Sequence, residues 1–112
     1  MRYAAIRDIV IRILSRRKND FQIYRTAYQI VEIIKKEDPR LYEIMRRARG
    51  TGRYGKGADV QYSIATYVAK ACRYFQQTDR HFRMVWVDAL GSKYFNKKPG
   101  FPSFISSWTY QE

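Results

Sequence analysis

The stretch DVQYSIATYVAKACRYFQQTDRHFRMVWVDALGSKYFN, residues 59–96, decides the fold because its hydrophobic period changes once along its length. Val60, Ile64, Val68, Ala71 and Phe75 recur at helical spacing, with Tyr62, Thr66, Ala69, Lys70, Arg73 and Gln77 on the other side. This pattern predicts an amphipathic helix over about 60–77, with Asp59 as its cap. After Thr78-Asp79 the period falls to two. Phe82, Met84 and Trp86 alternate with Arg83, Val85 and Val87, which predicts a strand whose Phe, Met and Trp line faces the core. Ala89-Leu90-Gly91-Ser92 supplies a turn and Lys93-Tyr94-Phe95-Asn96 a short return strand, so 81–96 reads as a β-hairpin.

Upstream, Ile6, Ile9, Val10, Ile13 and Leu14 form a helical stripe over about 2–17, and Asp8, Arg12 and Arg16 are spaced for local ion pairing. Arg17-Lys18-Asn19-Asp20 interrupts that stripe. Asp20 is placed to cap a second helix, about 21–36, with Ile23, Ala27, Ile30, Val31 and Ile34 inward. Asp38-Pro39 opens a third helix, because Pro at the first helical position gives up no hydrogen bond. Leu41, Ile44 and Met45 point inward from it, and Gly50 ends it. Downstream, Pro99, Gly100 and Pro102 predict an irregular segment, yet Phe101, Phe104, Ile105, Trp108 and Tyr110 are too apolar for a free tail. The expectation is an α-rich α+β domain, 1–96, of four helices followed by a β-hairpin. An ordered aromatic C-terminal tail, 97–112, then docks on it or on a neighbouring copy.

Charge points to the partner. Twenty-two Lys and Arg stand against ten Asp and Glu, a net +12 over 112 residues. Such self-repulsion is ordinarily offset by a polyanion, and nucleic acid comes first. The cations gather in two blocks: Arg2, Arg7, Arg12, Arg16, Arg17 and Lys18 against Asp8, and Arg40, Arg46, Arg47, Arg49, Arg53 and Lys56 against Glu43. A composition 46% hydrophobic and 16% aromatic supplies a core and excludes a disordered basic tail. One Cys and one His, Cys72 and His81, are too few for an internal disulfide or a structural zinc site. No cofactor is implied. No apolar run is long enough to span a bilayer, so a soluble cytoplasmic protein is expected. Richness in Arg, Tyr and Ile hints at a thermophile, an archaeon or its virus.

Between the third and fourth helices lies Arg49-Gly50-Thr51-Gly52-Arg53-Tyr54-Gly55-Lys56-Gly57. Its glycines match the dinucleotide pattern and nearly the phosphate-loop pattern, but both need a strand immediately before the loop, and here a charged helix precedes it. What remains is physical. Glycines let backbone N–H groups approach phosphate, and Arg49, Arg53 and Lys56 add charge, although a plain surface linker has the same composition. Catalysis has little to stand on: His81 lacks a nucleophile motif, Cys72 sits beside an apolar stripe, and Asp59, Asp79 and Asp88 lack the spacing of a metal-dependent nuclease.

Three helices, a loop, a helix and a hairpin make an order that resembles the winged-helix domain, a helix-turn-helix variant, over about 2–96. The resemblance lies in element order and spacing; the loop before the fourth helix is longer and more cationic than that family's turn. It implies that the fourth helix enters the major groove and that the hairpin is the wing. Gln61, Tyr62, Thr66, Lys70 and Arg73 then form the reading set, although a solvated helix face carries the same residue types. Arg83, Lys93, Lys97 and Lys98 become wing contacts to phosphate. The expected function is double-stranded DNA binding without chemistry, as a homodimeric transcriptional regulator or DNA-organising factor. The alternatives are a nucleocapsid-like coat of nucleic acid, and an RNA or single-strand binder that stacks bases on Tyr and Phe.

Overall fold

The computed structural model describes residues 1–49, 58–88 and 104–112. The N-terminal helix is shorter than its stripe predicts: a 3-10 turn over Tyr3–Ile6 leads into α1, Arg7–Leu14. Its end is held by side chains. The Ser15 hydroxyl donates to the Ile11 carbonyl (2.6 Å), the Arg17 guanidinium to the Ser15 carbonyl (2.7 Å) and the Arg25 guanidinium to the Ile13 carbonyl (3.2 Å). Cationic donors on the last carbonyls satisfy acceptors that the helix leaves open and oppose its dipole.

Residues 21–26 are not helical, and Asp20 is not a cap. Arg17–Lys18 (β1) pairs antiparallel with Phe21–Gln22 (β2) around Asn19-Asp20, whose φ angles are 51° and 66°. Two positive φ angles in a two-residue loop are what a tight hairpin of matching twist requires, and Asn and Asp tolerate them best after Gly. The chain then forms β3, Arg25–Thr26, before α2, Ala27–Glu37. Thr26 is the cap. Its hydroxyl accepts from the Gln29 N–H (3.2 Å) while the Gln29 side-chain oxygen accepts from the Thr26 N–H (2.9 Å), a reciprocal capping box. Ala27, Ile30, Val31 and Ile34 are buried as the stripe predicts.

The third helix, α3, runs Pro39–Arg49, and the Asp38 carboxylate accepts from the Leu41 N–H at 3.1 Å, as expected from the Asp-Pro pair. Met45 is buried and Leu41 partly so, but Ile44 is 54% exposed and not inward. Among the described residues α3 packs mainly against α2 and α4, which buries a narrow stripe, and Ile44 falls outside it. The expected stop at Gly50 lies outside the described residues.

The fourth helix, α4, spans Ala58–Gln76 and contacts α2, α3, the 3-10 turn and the first long strand. With neighbours on several sides it buries more than one line: Ser63, Ile64, Ala65, Tyr67, Val68, Ala71, Cys72 and Phe75. Asp59 lies in its first turn, and the side chain of Val60 falls outside the described set.

That strand, β4, is Phe82–Asp88, and it pairs along its whole length with β5, Phe104–Tyr110, from Phe82↔Tyr110 to Asp88↔Phe104. On its other edge β5 pairs with β3, so the sheet order is β3-β5-β4 and the strand nearest the C-terminus lies in the middle. Residues 104–110 are therefore not irregular. The return strand expected at 93–96 lies outside the described residues. Trp108 is fully buried and its indole N–H donates to the Ser106 hydroxyl at 3.3 Å, while the Thr109 hydroxyl donates to the Leu14 carbonyl at 3.3 Å. Phe82 packs edge-on to Tyr110 and against Phe75 of α4. Trp86, two pleats further along the line expected to be core, is 56% exposed.

Asp79, between α4 and β4, ties the ends of the chain together. One carboxylate oxygen accepts from the Arg7 guanidinium (2.9 Å) and the Tyr110 hydroxyl (3.0 Å); the other accepts from the His81 N–H (3.0 Å) and lies 2.8 Å from His81 Nδ1.

Candidate nucleic-acid interface

Much of the positive charge has internal work. Arg7 is paired with Asp79, Arg16 spans both oxygens of Glu37 at 2.7 and 2.5 Å, and Glu43 accepts from Arg46 and Arg47. The Arg46 hydrogen bond, with help from Arg47, pulls the Glu43 carboxyl down to about 2. Arg17 also donates to the Tyr110 carbonyl at 3.1 Å. Arg25 is half-buried, and burial, followed by the repulsion of Arg16, lowers its guanidinium pKa. The N-terminal basic block is thus opposed by Asp79 and Glu37 from distant elements, and among the described residues no ion pair joins Asp8 to Arg12.

Subtracting these leaves a smaller set. Among the described residues Arg2, Arg12, Lys18, Lys35, Lys36, Arg40, Lys70, Arg73, Arg80 and Arg83 are exposed, with no side-chain hydrogen bond or ion pair. Lys70 and Arg73 lie one turn apart on the open face of α4, in line with Gln77 and beside Tyr74. Arg73 sets its guanidinium 5.8 Å from the centre of the Trp86 ring, joining the helix face to the strand β4. A guanidinium over an indole is a modest attraction at an exposed site, and it leaves the N–H edges available to an anion.

Other expected contacts are placed differently. Arg83 is exposed on β4, but strand alternation puts it on the sheet face opposite Phe82, Met84 and Trp86, away from Lys70 and Arg73. Arg49, at the end of α3, donates to the Met1 carbonyl (2.7 Å) and covers the Tyr67 ring at 5.0 Å. It is exposed yet held, closer to the N-terminal turn than a free loop cation would be. Thr66 is half-buried on α4. Gln61 and Tyr62 stand in the first turns of α4 with side chains outside the described set, and Arg53, Lys56 and Lys93 lie outside the described residues.

Three aromatic residues belong to this surface beyond the expected set. Tyr74, next to Arg73, is 53% exposed; its ring lies 5.5 Å from Tyr3, which lies 5.5 Å from Tyr67. Helical phase places Tyr74 four residues beyond Lys70, on the outward face, so the signal for it was in the sequence. Trp86 is the second and Tyr3 the third. Tyr3, Tyr74, Arg2, Arg49, Met1 and Ala4 line an open cleft of about 540 Å³.

Cys72 is fully buried and burial pushes its thiol up to about 12, so the thiolate is not formed near neutrality. No three His, Cys, Asp or Glu side chains gather where they could hold a metal ion, and no helix is long and apolar enough to cross a membrane, both among the described residues. No protein-family model, curated protein or solved structure matches the chain.

Proposed function

We propose that this protein binds double-stranded DNA as a winged-helix-like module and acts by occupancy, as a transcriptional regulator or DNA-organising factor. The observation that carries the reading is the open face of α4. Among the described residues Lys70 and Arg73 remain outward and free of carboxylate partners, while Arg7, Arg16, Arg46 and Arg47 are neutralised elsewhere. A helix protruding with unspent cations can enter a wide groove and displace phosphate counterions. The order of elements adds support, because three helices precede α4 and the strand β4 follows it. In this reading Arg73, braced on Trp86, contacts phosphate or a guanine edge, and Lys70 contacts phosphate.

Replacing Lys70 and Arg73 together with Ala tests it. Affinity for a blunt duplex is expected to fall about tenfold or more at physiological salt, and the slope of log affinity against log salt to flatten by about two phosphate contacts. A variant that binds the duplex as the parent does, with the same slope, would exclude α4 as the contact surface.

A further inference from the structure

We infer that the cleft between the N-terminal turn and α4 holds one unpaired nucleotide, its base stacked on Tyr74 and its phosphate on Arg2 and Arg49. The inference rests on the proposed nucleic-acid binding and assigns a site to a different feature of the ligand. The cleft is built from distant parts of the chain: Arg2 and Tyr3 from the N-terminal turn, Arg49 from the end of α3, and Tyr74 from the last turns of α4.

Its composition is that of a base-and-phosphate site. Single-strand binders combine aromatic faces with cations that follow the backbone. Here Tyr74 offers an exposed ring with two aromatic neighbours, Tyr3 at 5.5 Å and Phe75, edge-on, at 6.1 Å. Tyr3 is itself fixed against Tyr67, whose hydroxyl donates to the Arg2 carbonyl at 2.7 Å. That bond holds the backbone beside which the Arg2 side chain stands exposed. Arg49 is pre-placed by the Met1 carbonyl and the Tyr67 ring, so little ordering is needed when an anion arrives. Among the described residues no carboxylate lines the cleft to repel a phosphate. At about 540 Å³ the space accommodates a single nucleotide and is small for a duplex. Arg73 precedes Tyr74 in sequence, so a strand leaving a duplex on α4 reaches the cleft at once.

The test compares three DNA ligands of equal duplex length: blunt, with a three-nucleotide single-stranded overhang, and with the same overhang made abasic. For the unmodified protein the base-bearing overhang is expected to bind about tenfold tighter than the abasic one. Tyr74→Ala is expected to abolish that preference, and Tyr74→Phe to retain it. Equal affinity of the unmodified protein for base-bearing and abasic overhangs would overturn the inference and leave duplex binding standing. A preference for the base-bearing overhang without any blunt-duplex affinity would keep the cleft and remove the duplex reading. Absence of binding to all three ligands would remove both.

Discussion

Asp79 shows how one side chain closes the fold. Burial alone would raise its carboxyl pKa, but hydrogen bonds from the His81 amide, the Tyr110 hydroxyl and the His81 ring outweigh burial and lower it. Burial, reinforced by the same carboxylate, raises the Tyr110 hydroxyl in turn. A carboxyl whose pKa is depressed in the folded state adds stability above its unfolded range and loses it as pH falls through the folded value. Asp79→Ala is therefore expected to cost about 2–3 kcal/mol at pH 7, the scale of charged hydrogen bonds lost from a mostly buried site. Below roughly pH 4 the gap between variant and parent should narrow as the parent's carboxyl protonates. Urea unfolding at neutral and acid pH measures both, and equal midpoints at pH 7 would show that the hub stabilises nothing. Glu43, held down to about 2 by Arg46 and Arg47, titrates in the same direction but is solvated and adds little.

At the scale of elements, the true start of α2 separates two readings of the same residues. Thr26 and Gln29 form the capping box, so Thr26→Ala is expected to lower stability by about 1 kcal/mol in thermal unfolding. Asp20→Gly should not lower it, because Asp20 occupies a left-handed turn position that glycine favours, with φ 66°. If Asp20→Gly destabilised the protein more than Thr26→Ala, the turn and cap assignments would be reversed. The sequence concealed this boundary because Ile23 and Ala27 sit in helical phase with Ile30 and Ile34, and periodicity cannot register a hairpin turn inside the stripe. The Asp38-Pro39 start, the buried line of α4 and the strand at 82–88 were legible, since each follows from one local period or cap. The strand β5 was not. Ser106, Ser107 and Thr109 are buried polar residues that break its apolar alternation, and their burial depends on pairing with β3 and β4 and on the Leu14 carbonyl. The same reasoning covers the interface: helical phase exposes Lys70 and Arg73, whereas the cleft joining Tyr3 to Tyr74 exists only once the N-terminal turn has packed on α4.

Over the whole molecule, the sheet makes the two ends of the described chain interdependent. β5 is the only strand of its sheet with neighbours on both edges among the described residues, and it carries fully buried Trp108 into a core that includes Ile6, Ile30 and Phe75. Removing it takes away the partner of β3 and of every residue in β4, and it deprives Asp79 of the Tyr110 hydroxyl and the Leu14 carbonyl of the Thr109 hydroxyl. Hydrophobic burial and ladder hydrogen bonds are lost together, and a domain with a margin of about 5–15 kcal/mol does not absorb that loss. A chain ending at residue 103 is therefore expected to show no cooperative unfolding transition and no near-ultraviolet dichroism from a packed core. Trp108→Ala provides the graded version, weakening the full chain by about 3–5 kcal/mol through the cavity it leaves. Were the truncated chain to unfold cooperatively near the parent's midpoint, the helices would be a self-sufficient unit and β5 an accessory. The expected collapse would instead mean that α4 presents Lys70, Arg73 and Tyr74 in fixed relation to β4 only after the strand farthest along the chain has entered the middle of the sheet.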